Sequence, residues 1–306
     1  MRAKAIVKIC ICGTIALVLA SMLVSLLALP RVLDWKIGDL SFHWIDDHGS
    51  DEGYTVGEAS VSGEVRELDV SWLSGSVTVE LTDGDAVTLR EEPQPESSDA
   101  RMRWKLQDGK LTVYSQKSGL TIPTRAKQLT IGIPADRAGK LQKLSLDLSA
   151  ASASLPALTL RELELDSVSG SVTLTGGSYE NLDFDSTSGD LTLTSAAVGE
   201  LSADTTSGSL TLDGAFETID FDTTSGALHL TTSILPQDIS CDTVSGGVTL
   251  TLPKNGGFSA TLDSVSGDLT VDGFAGSLHR DEFVYGQGGP AYEFDSVSGD
   301  VHIRCA

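Results

Sequence analysis

The chain has 306 residues, 40% of them hydrophobic, and 43 acidic against 21 basic side chains give a formal net charge of −22. That length holds one or two domains with a sizeable core, and that charge repels phosphate backbones, which argues against nucleic acid as a partner. The acidity is uneven: residues 162–306 carry 23 acids against Lys254, Arg280 and Arg304, a balance that favours cations or cationic partners.

Residues 9–29 (ICICGTIALVLASMLVSLLAL) are uncharged and long enough to span a bilayer as a helix. Arg2, Lys4 and Lys8 precede them, which holds the N-terminus in the cytoplasm and exports the rest. Cleavage after Val18-Leu19-Ala20 is the competing reading, but it would leave nine mostly apolar residues at the new terminus. The expectation is a cytoplasmic stub and transmembrane anchor over 1–30, in a single-pass protein of the cell membrane with its C-terminal domain outside the cell.

Residues 31–59 include WIDDHGSDEG and read as an acidic juxtamembrane linker. From 60 to 140 the pattern alternates as strands do. SVTVELTDGDAVTLR reads as a hairpin closed at Asp83-Gly84-Asp85, and MRWKLQDGKLTVYS as a second hairpin at Asp108-Gly109. Between them EEPQPESSDA reads as a loop, and KQLTIGIP as a further strand. No segment shows sustained helical periodicity.

From 141 to 306 one five-residue unit recurs: DSVSG at Asp166, DSTSG at Asp185, DTTSG at Asp204 and Asp222, DTVSG at Asp242, and DSVSG at Asp263 and Asp295. Apolar residues alternate on both sides, so each unit is strand, turn, strand. LSLDLSAASASL fits the same frame with Asp147 and no glycine, as a capping coil. A period near 19 is the signature of a solenoid, in which stacking buries the apolar face a single unit cannot bury. Three inward ladders follow: Leu163, Leu182, Leu201, Ile219 and Ile239; Leu165, Phe184, Ala203, Phe221, Cys241, Leu262 and Phe294; Val172, Leu191, Leu210, Leu228, Val248, Leu269 and Val301. The expected fold is all-β: a parallel β-solenoid of eight coils stacked ~4.8 Å apart, right-handed by the usual twist preference.

In this frame DSxSG is a corner. Asp and Ser accept turn N–H groups, and Gly170, Gly189, Gly208, Gly226, Gly246, Gly267 and Gly299 supply a backbone conformation costly to other residues. The 32-residue spacing before Asp295 holds extra sequence, read as an excursion over 279–292 that is either a tolerated loop or a binding element. Cys10 and Cys12 belong to the membrane segment. Cys241 and Cys305 fall on inward positions two coils apart, about 10 Å along the stack and beyond disulfide reach.

The run of LDVSWLSGSVTVE, MRWKLQDGKLTVYS and tandem (L/I)x(F/L)D(S/T)xSGxLTL units resembles the bacterial putative-adhesin β-strand-repeat family, a domain-of-unknown-function group of envelope proteins. The resemblance covers about 60–304. It implies a β-solenoid displayed outside the membrane and brings no catalytic residues.

The chemistry is thin. Seven carboxylates, Asp166, Asp185, Asp204, Asp222, Asp242, Asp263 and Asp295, form a ladder that either holds cations such as calcium or is satisfied by the turns. No GxSxG, HExxH or phosphate-loop motif occurs, and His229 and His302 alternate outward. The expected function is a non-enzymatic envelope interaction protein, adhesive or sensing cationic peptides, with no cofactor and with a cationic peptide, a cell-wall polymer or another envelope protein as partner. The alternatives are a polysaccharide-active enzyme with paired carboxylates and a calcium-binding surface rod. A ladder of equivalent carboxylates argues against the enzyme, because it gives no pair with unlike environments.

Overall fold

In the structure, a computed structural model, residues 51–119 and 125–306 are described. The proposed anchor over 9–29 lies outside them. Among the described residues no helix is long and apolar enough to cross a membrane.

The repeats stack as strands in parallel register. Asp147 lies beside Asp166, Asp166 beside Asp185, Asp185 beside Asp204, Asp204 beside Asp222, and Asp222 beside Asp242. The alternation explains the arrangement: successive side chains point to opposite sides, so every second residue enters the core. The first two predicted ladders are at most 2% exposed throughout, and the third is equally buried up to Leu269, which is only partly covered.

Stacking order departs from sequence order at both ends. Asp242 pairs with Asp295, and Asp295 with Asp263. The coil of Ala291–Ser296 and Val301–Cys305 therefore slots between its two predecessors, and the coil of Gly257–Ser264 and Leu269–Asp272 is outermost. At the other end Glu67–Thr82 pairs on one side with Lys143–Leu155 and on the other with Lys110–Tyr114 and Lys127–Pro134. The Asp147 coil is thus no cap. Two further coils precede it, giving ten in the stack and about 43 Å between the outer two.

The region expected to be hairpins is folded into these coils. Glu67–Thr82 does not pair with Val87–Glu92, because Lys127–Pro134 inserts between them, parallel to the first and antiparallel to the second. The hairpin at Asp108-Gly109 forms, with Arg103–Gln107 antiparallel to Lys110–Tyr114. The linker is also shorter than expected: Thr55–Val56 pairs with Arg103 and Trp104, and Ala59–Val61 with Val87–Leu89. These antiparallel strands cover the first coil.

At the far end the excursion over 279–292 is largely an ordered hairpin. Ser277–His279 and Glu282–Gly286 form a hairpin whose second strand lies antiparallel on Gly257–Thr261, and Tyr292 already belongs to the last coil. Phe258 packs against Phe274, Phe283, Tyr285 and Tyr292 at centroid distances of 5.0–5.9 Å, an aromatic plug that seals this end. Cys241 and Cys305 are free. They belong to adjacent coils rather than to coils two apart, and sit on different strands, Cys241 beside Phe294 and Cys305 beside Leu252.

Candidate functional site

The DSxSG corner works differently from the sequence-based expectation. The second residue, Ser or Thr, turns inward, and its hydroxyl accepts the glycine N–H three residues on: Gly170 to Ser167 at 3.0 Å, Gly189 to Ser186 at 2.7 Å, Gly208 to Thr205 at 2.8 Å, Gly246 to Thr243 at 2.7 Å. This closes a side-chain-to-backbone turn in the core. The fourth residue faces out and donates to a carbonyl of the adjoining coil, as Ser188 does to Val168 at 3.1 Å and Ser207 to Thr187 at 3.2 Å. The Asp carboxylate is therefore not the turn's principal acceptor.

The glycines also act differently. None of the seven has positive φ. What each needs is space: a Cβ on Gly189 would meet the Gly170 carbonyl oxygen, one on Gly208 that of Gly189, one on Gly299 that of Gly246, and one on Gly267 that of Gly299, all under 3.0 Å. The corners stack backbone on backbone, and their order repeats the interleaved order of the coils.

Freed from the turn, the Asp side chains line one face of the rod with the other outward positions of the same strands. Reading along the stack, Asp185, Asp204, Asp222, Asp242 and Asp295 form one column in register, and on the same face Asp183, Asp220 and Glu293 alternate with Ser202 and Ser240 in a second column and Glu200 and Asp238 flank Thr218 in a third. At its start Lys143 neutralises Glu162 at 3.0 Å and Glu164 at 2.5 Å, and Lys110 neutralises Asp69 at 2.8 Å. The Lys143 ammonium holds the Glu164 carboxyl below its usual range. From Asp183 to Asp295 no basic residue stands on these strands.

The unneutralised row holds its protons more tightly. Partial burial, reinforced by neighbouring carboxylates, pushes Asp166, Asp185 and Asp295 up to about 6 and Asp222 to about 7. Asp204, Asp242, Asp183 and Asp220 are raised from the same principal cause, burial. Asp166, Asp185 and Asp204 keep open access to water, so solvent screening softens the effect on stability. The seven predicted ladder residues are thus brought together, one per coil in single file. Among the described residues no group of three or more His, Cys, Asp or Glu converges as a metal site.

The opposite strands present hydroxyls: Thr78, Ser154, Thr173, Thr192, Thr211, then His229, Thr249, His302 and Thr270 share one outward row. His302 Nε2 lies 2.9 Å from Asp272 Oδ2. An open groove of ≈ 580 Å³ lined by Leu160, Tyr179, Glu180 and Val198, and a smaller one of ≈ 250 Å³ at Val65, Val87 and Lys140, contain none of the ladder carboxylates.

A buried ionic cluster was not anticipated. Glu91 and Lys127 pair at 2.6 Å, each side chain at most 4% exposed. Lys127 also donates to the carbonyls of Ala100, at 2.8 Å, and of Ser115, and its ammonium lies 5.1 Å from the centroid of the Trp72 ring. Glu91 accepts the Met102 N–H at 3.1 Å, and Trp72 Nε1 donates to the Lys127 carbonyl at 3.0 Å. One ammonium thus ties together three segments of the first coils. The signal was legible: Val87, Leu89 and Glu91, like Lys127, Leu129 and Ile131, alternate inward.

These features define an all-β solenoid with interleaved ends and a corner motif built for close stacking. The chain belongs to the Toastrack DUF4097 family, matched over residues 65–304. No curated protein matches it. Among solved structures it is similar to a putative adhesin from Bacteroides fragilis, at 13% identity and a TM-score of 0.42 over 83% of this chain and 98% of that one. A putative lipid binding protein from Parabacteroides distasonis is similar at 14% identity and TM-score 0.47, covering 83% and 97%. A putative adhesin from the same organism is similar at 13% and 0.46, covering 84% and 98%.

Proposed function

We propose that this chain is a non-enzymatic envelope interaction protein, held in the cell membrane by residues 9–29 with the solenoid outside, and that it captures cationic ligands, cationic peptides in particular, on its acidic face. One observation carries this reading: the registered carboxylates from Asp183 to Asp295 stand on a sheet face without a basic side chain. A row that raises its own proton affinity is one whose charge a bound cation relieves. The enzyme alternative finds no support in this geometry, since the carboxylates repeat one environment and lie outside both grooves. The excursion over 279–292, read from the sequence as a tolerated loop or a binding element, is a paired hairpin that leads into a core strand.

The test is titration of the full chain with polylysine at rising salt. Affinity is expected to fall steeply with salt and to fall again in the charge-neutralised variant Asp183→Asn/Asp220→Asn. Binding that ignores both salt and the double variant would sink the proposal.

A further inference from the structure

The two strand rows of the outermost coil end differently. Over Gly257–Thr261 the hairpin strand Glu282–Gly286 adds an antiparallel cover. Its companion Leu269–Asp272 pairs on its inner side with the strand Val301–Cys305, and among the described residues no strand pairs with its outer side. The direction of its backbone groups follows from two contacts. Val301 N–H donates to the Asp268 carbonyl at 3.0 Å, and the Asp268 N–H reaches Asp300 Oδ1 at 3.0 Å. Residue 268 therefore faces inward along the stack, and so does Thr270 by alternation. The N–H and C=O groups of Leu269 and Val271 face out. Apolar cover is missing on the same side: Leu269 and Val271 are only partly buried, whereas their stacked equivalents Val301 and Ile303 are 2% and 0% exposed. Val265, in the corner that leads into this strand, is 58% exposed.

Natural sheets protect such an edge with lysine, proline or a covering element. This one carries neither Lys nor Pro, and exposed acids stand at both its ends, Asp268 just before it and Asp272 as its last residue. Edge-to-edge addition of a second copy would bring these acids against themselves, which is unfavourable. An incoming cationic strand meets the opposite sign. The stack already contains a strand of that kind. Val301–Cys305 reads V-H-I-R-C, with Val301 and Ile303 buried, His302 and Arg304 outward, His302 in contact with Asp272, and Arg304 in register with it.

Resting on the proposed capture of cationic ligands, we infer that the outer edge of Leu269–Asp272 binds an extended segment alternating apolar and basic residues as one further strand of the solenoid. Its backbone bonds to Leu269 and Val271, its apolar side chains complete the cover over them, and its basic side chains align with the acids flanking the edge.

The probe is a short capped peptide of alternating valine and arginine, titrated against the full 306-residue chain in mild detergent. Controls are the same composition in two blocks and an alternating valine–glutamate peptide. Val271→Pro removes one outward N–H while leaving the bonds to Val301–Cys305 in place. Binding is expected to weaken by about tenfold, the loss of one or two strand bonds. Amide exchange at Leu269 and Val271 should slow in the wild-type complex. Equal binding of the block peptide, or of the proline variant, with protection confined to the Asp183–Asp295 face, would overturn the edge site while sparing the proposed function. Absence of binding by every arginine peptide would overturn both. A peptide-free dimer that Val271→Pro dissolves would assign the edge to a second copy and overturn the cationic occupant.

Discussion

Gly208 stands in the middle of the corner stack, so replacing it tests whether the motif glycine serves close approach or backbone conformation. An added Cβ would lie under 3.0 Å from the Gly189 carbonyl oxygen and 2.9 Å from Thr205 Oγ1, where ordinary contact begins at 3.4 Å. The two coils must part locally by more than about 0.4 Å. The bonds across that gap, Thr206 N–H to Ser186 at 3.1 Å, Ser207 N–H to Thr187 at 3.0 Å and Ser207 Oγ to Thr187 at 3.2 Å, then stretch to or past the limit of useful geometry. At about 1 kcal/mol for each bond lost, Gly208→Ala costs roughly 2–3 kcal/mol, in line with the range of about 1–3 kcal/mol for overpacking a core. Gly208→Asn should cost at least as much, because asparagine is larger. Gly288 provides the contrast: its φ is +78° and a Cβ there meets nothing within 4 Å, so asparagine, which tolerates the left-handed region, should outperform alanine. Urea melts of the four variants give the answer. A Gly208→Ala protein as stable as wild type, or one rescued by asparagine, would refute the stacking argument.

Three more outcomes are expected. The raised carboxylates, near 6 for Asp166, Asp185 and Asp295 and near 7 for Asp222, exceed their unfolded values of about 3.9, so the folded state binds more protons in between. From these groups, thermal stability at low salt should be greatest at or below about pH 4 and fall as pH rises from about 4 to about 7; Asp222→Asn should raise the midpoint at pH 7.5 and flatten the slope, and a rising midpoint across that window would contradict the assignment. In the first coils, Lys127→Met leaves Glu91 charged and buried and should cost about 3–5 kcal/mol, whereas Lys127→Met combined with Glu91→Leu should recover part of that loss in a denaturant melt. Removing residues 291–306 strips a coil with neighbours on both sides, so it should expose Cys241 to thiol reagents under native conditions; a Cys241 as unreactive as in the full chain would mean that the last coil is not interleaved.

Much of the fold was legible because a parallel solenoid converts sequence period directly into contact. Alternation placed Phe184, Phe221 and Phe294 in one ladder, and the structure buries all three. What the repeats did not reveal was their order at the ends. The units at Asp263 and Asp295 share the same five residues, so either fits against Asp242, and repetition that specifies stacking leaves the sequence of stacking open. Pairing of large with small holds the difference: Tyr292 lies between Ile239 and Ala260 and donates to the Pro236 carbonyl at 3.0 Å. Likewise Asp83-Gly84-Asp85 looked like a hairpin because the turn signal is local, and the intervening Lys127–Pro134 strand arrives from more than forty residues on. For the candidate site, the acidic columns were visible as composition. The roles within the corner were not, since Asp, Ser and Gly all favour turns and their division of labour depends on which side chain faces the core.

The interleaved ends connect fold to function. In a plain solenoid the first and last coils carry the chain ends and the unpaired edges together, so fraying and edge exposure coincide. Here the coil nearest each end in space is tied into an antiparallel cover, while the last coil in sequence is held between two neighbours. The rod can then carry an uncompensated acidic face, because repulsion along the row works against strands clamped from both sides rather than against loose ends. The open edge at Leu269–Asp272 has Asp268 and Asp272 at its ends, which on the inference above oppose a second rod and suit a basic strand. On the proposed function, stability at the ends, acidity along the face and the open edge at Leu269–Asp272 form one arrangement, in which charge opposes self-association and favours cationic partners.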